Sequence, residues 1–138
     1  MKDVRLTLRV LARLLDYPHA EMRRHLPEMG EALRAEQALG ATRLAELSAL
    51  LASLGRRDAL EAEADYVQLF DSGRSASLQL FEHVHGDSRE RGPALIDLAQ
   101  SYEKAGLYLA EGEQPDHLPV LLEYASTQPP KQARQFLG

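Results

Sequence analysis

Cysteine is absent from the 138 residues of this chain. Its absence excludes disulfide bonds, thiolate zinc sites, cysteine-ligated iron–sulfur clusters and cysteine nucleophiles. It also fits a reducing compartment, because disulfides form and persist in oxidising ones. A length of 138 residues corresponds to one domain, and folding at that size buries enough surface for one hydrophobic core without covalent crosslinks.

Long apolar runs are also absent. The N-terminal segment MKDVRLTLRVLARLLDYP is charged at Lys2, Asp3, Arg5, Arg9 and Arg13. No uninterrupted apolar stretch follows these charges, so the segment does not have the pattern of a secretory signal peptide. Nothing in the sequence approaches the run of about 20 apolar residues that a membrane-spanning helix needs. We therefore expect a cytoplasmic protein that does not insert into the membrane.

Positive charge is scarce in the second part of the chain. Residues 1–60 contain 10 Lys and Arg against 8 Asp and Glu, a balance of +2, whereas residues 61–138 contain 6 against 13, a balance of −7. Nucleic-acid binding needs clustered cations, so this acidic part argues against a nucleic-acid partner. An acidic surface favours a basic partner. On charge alone, however, a solvated surface kept for solubility is the simpler explanation.

Strand signals are nearly absent, because apolar residues recur at helical spacing almost throughout and no Asn-Gly or Asp-Gly hairpin signal occurs. The clearest amphipathic stripe consists of Leu44, Leu47, Leu51 and Leu54. Breaks are predicted at Pro18, Pro27, Gly40, Gly55, Gly106 and Pro129-Pro130. The sequence predicts an all-α fold, a single-domain bundle of about seven or eight helices.

The densest polar cluster is Glu82-His83-Val84-His85-Gly86. Two imidazoles and a carboxylate can bind zinc or another divalent metal, and they can also perform general acid–base catalysis. On a helix, however, metal ligands recur at i and i+4, which is not the spacing of His83 and His85. A further ligand such as Asp116 or His117 would have to come from elsewhere. We favour a structural or partner-binding role and expect no tightly bound metal.

The second polar cluster is Pro115-Asp116-His117-Leu118-Pro119. Asp116 is predicted to cap the last long helix, with His117 in its first turn. As a catalytic pair, Asp116 and His117 would lack an obvious nucleophile, because the nearby serines carry no G-x-S-x-G elbow. The alternative to a binding role is a helical metal-binding protein or hydrolase that uses His83, His85, Asp116 and His117.

Aromatic residues are concentrated after residue 60. The segment Tyr66-x-x-Leu69-Phe70 is predicted to form the core face of a helix. Hydroxyl-bearing rings recur later in the chain at Tyr102, Tyr108 and Tyr124. Such rings serve hydrophobic cores, and they also serve grooves that hold peptides.

Four stretches together resemble a known family. They are LARLLDYP (11–18), YVQLFDSGRSASLQLFEHVHGDSRERG (66–92), LAQSYEKAGL (98–107) and PDHLPVLLEYAS (115–126). They are similar to the NarJ-type nitrate reductase molybdenum-cofactor assembly chaperones, which belong to the TorD-like group of redox-enzyme maturation chaperones. The resemblance covers most of the chain, and LFEHVHG followed at this distance by PDHLP is its most specific part.

The resemblance implies a TorD-like helical fold with no catalysis and no cofactor of its own. It implies binding to the N-terminal segment of the apo catalytic subunit of a molybdenum-containing nitrate reductase. The chaperone would support insertion of the molybdenum cofactor and delay membrane attachment of the client until assembly is complete. We expect the chain to act as a monomer and to be a single helical domain over residues 1–138. Since the family usually continues with further helical sequence, we expect a C-terminal helical segment to be lacking.

The resemblance also directs attention to particular residues. The wider group has an E-P-x-D-H-like motif at a hinge, and the matching part here is Gln114-Pro115-Asp116-His117, with Glu113 one place before the glutamine. The acidic residue is therefore displaced, which leaves the role of Glu113 open. The residues predicted to bind the client peptide are Tyr66, Leu69, Phe70, Glu82, His83, His85, Tyr102, Asp116, His117 and Glu123.

Overall fold

The computed structural model describes residues 3–71, 76–85 and 89–138, with the exception of the Glu82 side chain. Within these residues the helices are α1 Arg5–Leu14, α2 Ala20–Arg24, α3 Leu26–Glu36, α4 Ala41–Arg56, α5 Ala59–Phe70, α6 Leu80–Val84, α7 Arg91–Lys104, α8 Leu118–Ser126 and α9 Pro130–Leu137. The predicted all-α class is confirmed. Two of these helices, α2 and α6, have only five residues each, and the others are the longer helices that the sequence pattern indicates.

Helix α1 lies between two hydrophobic cores. On one side Val10 packs with residues of α2, α3 and α4, and Leu33 at the centre of this first core is fully buried. The buried residues of the first core are Val10, Met22, Leu26, Met29, Leu33 and Leu51. The leucine stripe of α4 contributes Leu51 as a buried residue, whereas Leu44, Leu47 and Leu54 are half-buried around it.

The second core joins the two ends of the chain. Leu8 and Ala12 of α1 pack against Leu122 and Ala125 of α8 and against Ala133 of α9. The i, i+4 spacing of Leu8 and Ala12 places them on one face of α1, while Val10 points to the first core. The second part of the chain is thus anchored through α8 and α9, which position the residues just before α8.

Proline and glycine set several helix boundaries as predicted. Pro27 occupies the first turn of α3, where its missing N–H is not needed, and so begins a new helix instead of kinking one. Gly106 follows α7 with φ of 81°, a conformation that favours glycine. The N-cap of α4 is Gly40, where the sequence predicts a break. Gly55 does not end α4, which continues to Arg56. Asp87 and Glu90 have the sequence spacing of a capping box before α7, but Asp87 lies outside the described residues.

Helices α5 and α7 are much less covered. Ala62 is the buried residue of α5, and Tyr102 is the buried residue of α7. Large apolar side chains on both helices are exposed, including Leu60 at 76%, Leu69 at 58% and Ile96 at 60%. In the part of the chain that the structure describes, no helix has the length and apolar character that crossing a membrane requires.

Candidate functional site

The entries to α6 and α8 are paired by a short antiparallel bridge between Gln79 and His117. The Leu80 backbone N–H donates to the Asp116 carbonyl at 2.9 Å, and the Leu118 N–H donates to the Leu78 carbonyl at 2.8 Å. The bridge therefore joins the two polar clusters that are separate in the sequence.

Asp116 is buried beneath this bridge and is only 1% exposed. Its Oδ2 accepts a hydrogen bond of 3.0 Å from the Phe81 backbone N–H, in the first turn of α6. The prediction that Asp116 caps the last long helix is therefore wrong. The bridge keeps His117 extended, so α8 begins at Leu118 and the Asp116 carboxylate caps α6 instead.

His117 is the N-cap residue of α8 and not a residue of its first turn as predicted. Its side chain makes no capping hydrogen bond to α8, and its Nδ1 lies 3.2 Å from Nε2 of Gln79. The amide can donate to Nδ1 when this nitrogen is unprotonated. The Gln79 Oε1 is buried without a hydrogen-bond partner in the described structure. Gln79 thus orients His117 and keeps one unused acceptor.

Tyr102 anchors α7 to the segment that precedes α8. Its hydroxyl donates to the Pro115 carbonyl at 2.7 Å, and the residue is only 2% exposed. Burial raises the pKa of the Tyr102 hydroxyl well above its usual range, and electrostatic interactions with Asp116 and Tyr124 raise it further. Tyr102 and Asp116 are therefore buried residues whose hydrogen bonds hold the backbone of the site in place.

The two histidines of the first cluster have different local partners. Nε2 of His83 lies 2.9 Å from the Ser77 carbonyl, which can only accept, so this nitrogen carries the proton. The His85 ring meets the Phe81 ring edge-on at 5.0 Å. Glu82 belongs to α6, but its side chain lies outside the described part of the structure. Across residues 3–71, 76–85 and 89–138, no three His, Cys, Asp or Glu side chains are grouped to hold a metal ion.

A cleft of about 480 Å³ opens beside the bridge, between the C-terminal end of α1 and the start of α8. We call it the polar cleft. Its ionisable lining residues are Arg13, Asp16, Glu113, His117 and Glu123. Three carboxylates face one guanidinium here, so the cleft suits a cationic or hydrogen-bond-donating group. It brings together two of the predicted site residues, His117 and Glu123, and adds Glu113 to them.

A group of aromatic rings lies where α5 meets the end of α1, and we call it the aromatic patch. It consists of Tyr17, Tyr66 and Phe70, with the Tyr66 ring 5.6 Å from Tyr17 and 4.9 Å from Phe70. The Tyr66 hydroxyl donates to the Leu15 carbonyl at 2.9 Å. Burial, followed by the charges of Asp16 and Asp71, raises the pKa of Tyr66 to about 12.

Asp16 lies between the aromatic patch and the polar cleft, because it lines the cleft and its charge also raises the pKa of Tyr66. Leu69, the remaining predicted residue of α5, is 58% exposed, so the prediction that it belongs to the core face of a helix is wrong. The predicted site residues therefore divide into an accessible set and a buried set. The accessible set is Tyr66, Leu69, Phe70, His83, His85, His117 and Glu123, and the buried set is Tyr102 and Asp116.

Several residues of this region were not in the predicted set. Arg13, Asp16 and Tyr17 come from the end of α1, and Gln79 comes from the segment before α6. The stretch LARLLDYP contains the first three of these residues and was part of the family resemblance. Its place in the family resemblance is the signal that was available. No local pattern indicates that Gln79 pairs with His117, because 38 positions separate the two residues.

Comparison with known proteins gives consistent similarities. The family described as nitrate reductase delta subunit matches residues 17–136. The nitrate reductase molybdenum cofactor assembly chaperone NarJ of Escherichia coli K12 is 46% identical over 128 residues, which are 93% of this chain and 54% of that protein. The probable NarJ chaperone of Bacillus subtilis is 32% identical over 125 residues, which are 90% of this chain and 66% of that protein. The chain thus spans about half the length of the E. coli relative.

A solved structure has the same fold. The crystal structure of a proposed redox enzyme maturation protein from Archaeoglobus fulgidus superimposes with a TM-score of 0.66, over 91% of this chain and 72% of that chain. The two sequences are 23% identical, so the likeness concerns the fold alone.

Proposed function

Because the chain belongs to the nitrate reductase delta subunit family, we propose that it is an enzyme-specific chaperone for assembly of a molybdenum-containing nitrate reductase. The observation that carries this proposal is the 46% identity, over 93% of the chain, to a nitrate reductase molybdenum cofactor assembly chaperone. In this proposal the chain catalyses no reaction and acts in the cytoplasm as a monomer. It binds the apo catalytic subunit and supports cofactor insertion before the client attaches to the membrane.

The proposed client segment is the N-terminal region of the catalytic subunit, a peptide with apolar and basic parts. Two adjoining surfaces support this choice. The aromatic patch and the exposed Leu69 offer apolar contact area. The polar cleft offers the carboxylates of Asp16, Glu113 and Glu123 to a basic side chain. Apolar contact would supply most of the affinity, while the carboxylates would guide the approach.

The buried residues have an indirect role in this proposal. Asp116 and Tyr102 cannot contact a peptide directly, because they are 1% and 2% exposed. Their hydrogen bonds to Phe81 and Pro115 hold the segment that carries His117. The metal-binding or hydrolase alternative gains no support from these contacts, since the side chains of His83, Asp116 and His117 already have protein partners.

The test is binding of a synthetic peptide with the sequence of the client N-terminal segment, measured by calorimetry. Leu69→Ala removes exposed apolar area from the proposed surface, and we expect a loss of about fivefold or more in affinity. Ile96→Ala is the matched control, because Ile96 is 60% exposed on α7 and lies outside the site. A peptide that does not bind the unmodified chain, or equal losses for both variants, would contradict the proposal.

A further inference from the structure

A second cleft lies between α3 and α4 and shares no lining residue with the polar cleft. Its volume is about 510 Å³, and we call it the basic cleft. Arg23, Arg24 and Arg34 line it, and Glu31 is the single carboxylate in the lining. A local balance of three cations against one anion stands out in a chain whose net charge is −5.

The three guanidiniums have no acidic partners in the part of the chain that the structure describes. None of them forms an ion pair with a carboxylate anywhere in the described residues. Arg23 is held by protein carbonyls at the end of α4, donating to the Leu54 carbonyl at 2.9 Å and also to the Arg57 carbonyl. Its Nε is buried and donates to no atom in the described structure. Arg23 thus contributes to this cleft a guanidinium group that backbone carbonyls hold in place.

Small residues make room for the charged groups. Gly30, Ala52 and Gly55 line the cleft together with the Ser48 hydroxyl. A Cβ atom at Gly30 would lie 3.3 Å from Nη1 of Arg34, so the absence of a side chain at Gly30 lets this guanidinium lie close over α3. The cleft therefore combines open volume with donors at its walls.

Like charges that face one cleft without carboxylate partners repel one another, and a bound anion would remove this cost. Guanidinium groups match phosphate well, because their planar forks donate two parallel hydrogen bonds to its oxygens. We propose that the basic cleft binds the phosphate group of a small phosphorylated molecule. This site is independent of the client surface, and its failure would leave the proposed chaperone function untouched.

The experiment is titration of the chain with inorganic pyrophosphate and with inorganic phosphate at constant ionic strength, followed by calorimetry. We expect one site, with pyrophosphate bound more tightly than phosphate because it carries more charge. Arg24→Gln and Arg34→Gln together remove two walls of the cleft, and we expect at least about a tenfold loss of pyrophosphate affinity. Arg23 is left unchanged because its hydrogen bonds hold the end of α4.

Arg9→Gln combined with Arg43→Gln is the matched control, because both side chains are exposed and outside the basic cleft, and the net charge changes by the same amount. Retained pyrophosphate affinity in this control supports a specific site. No saturable binding to the unmodified chain, or equal losses in both double variants, would overturn the proposal. Circular dichroism verifies that both variants keep the helical fold.

Discussion

At the scale of single residues, the Asp116 carboxylate has the most consequential position. It is buried under the Gln79–His117 bridge and caps a helix that begins far from it in the sequence. The sequence identified Asp116 and His117 as important, but it assigned the cap to the wrong helix. Spacing reveals local capping partners, whereas a partner 35 positions away depends on the tertiary fold.

Replacement of Asp116 tests this tertiary cap. Asp116→Ala leaves the Phe81 N–H without its acceptor, and we expect a loss of roughly 0.5–2 kcal/mol in the free energy of unfolding. Asp116→Asn keeps an acceptor oxygen and should lose less. Urea denaturation measures both changes. Asp97→Ala is the control, since this exposed carboxylate has no partner in the described structure, and its effect should stay within about 0.5 kcal/mol.

A comparison with His117 separates folding from client handling. Neither Asp116→Ala nor His117→Ala should lower the free energy of unfolding enough to unfold a domain of ordinary stability. Both variants should therefore remain folded while client maturation falls. Circular dichroism and nitrate reductase activity in complemented cells provide the two measurements. Unfolding of both variants, or normal maturation by both folded variants, would contradict this expectation.

The raised pKa of Tyr66 predicts how the free energy of unfolding changes at alkaline pH. Its folded-state pKa of about 12 lies above its ordinary value of 10.0. The unfolded chain therefore loses this proton at lower pH, and the stability contributed by the neutral Tyr66 is complete below pH 10 and is lost as pH rises toward 12. Tyr66→Phe should decrease the fall in unfolding free energy between about pH 10 and pH 12. Identical pH slopes for both proteins would argue against the raised pKa of Tyr66.

At the scale of helices, periodicity and breakers predicted most elements correctly. The stripe of α4, the start of α3 near Pro27 and the stop at Gly106 all follow from local physics. The end of α4 did not follow from local physics, because a glycine inside a helix costs only about 1 kcal/mol and packing can offset this cost. Which helices stay uncovered was not predictable either, since burial depends on the neighbours of each face.

Hydrogen exchange tests the uneven coverage of the helices. Helix α8 packs on α1 and buries several residues, whereas α5 buries Ala62 and exposes Leu60, Val67 and Leu69. Local opening requires the loss of fewer contacts in α5, so we expect faster amide exchange in α5 than in α8. Mass spectrometry of peptides from the two helices gives the comparison. Equal protection of α5 and α8 would indicate that α5 is more firmly attached than its burial implies.

At the scale of the whole molecule, the charge distribution predicts how a basic client peptide associates. Residues 61–138 have a balance of −7, and exposed charges are screened beyond a Debye length of about 8 Å at physiological salt. We expect the association rate with the client peptide to fall as salt rises, while the dissociation rate stays nearly constant. Glu123→Gln should reduce the salt dependence more than Asp97→Asn, which removes the same charge outside the cleft.

Acidification provides a second measurement on the same complex. Acidification makes the net charge of residues 61–138 less negative, so binding of a basic peptide should weaken. Stopped-flow kinetics across salt and pH gives both results. An association rate indifferent to salt, or binding that strengthens on acidification, would leave apolar contact as the basis of recognition.

The position of α1 between two cores has a consequence for the order of events during synthesis. The first core uses residues between Val10 and Leu51, so it can form soon after the N-terminal third of the chain leaves the ribosome. The second core needs Leu122, Ala125 and Ala133, which emerge later. Until then Leu8 and Ala12 have no partners in this core. A nascent chain stalled before α8 should therefore expose this face of α1 to cellular holding factors, and synthesis of α8 and α9 should end that exposure.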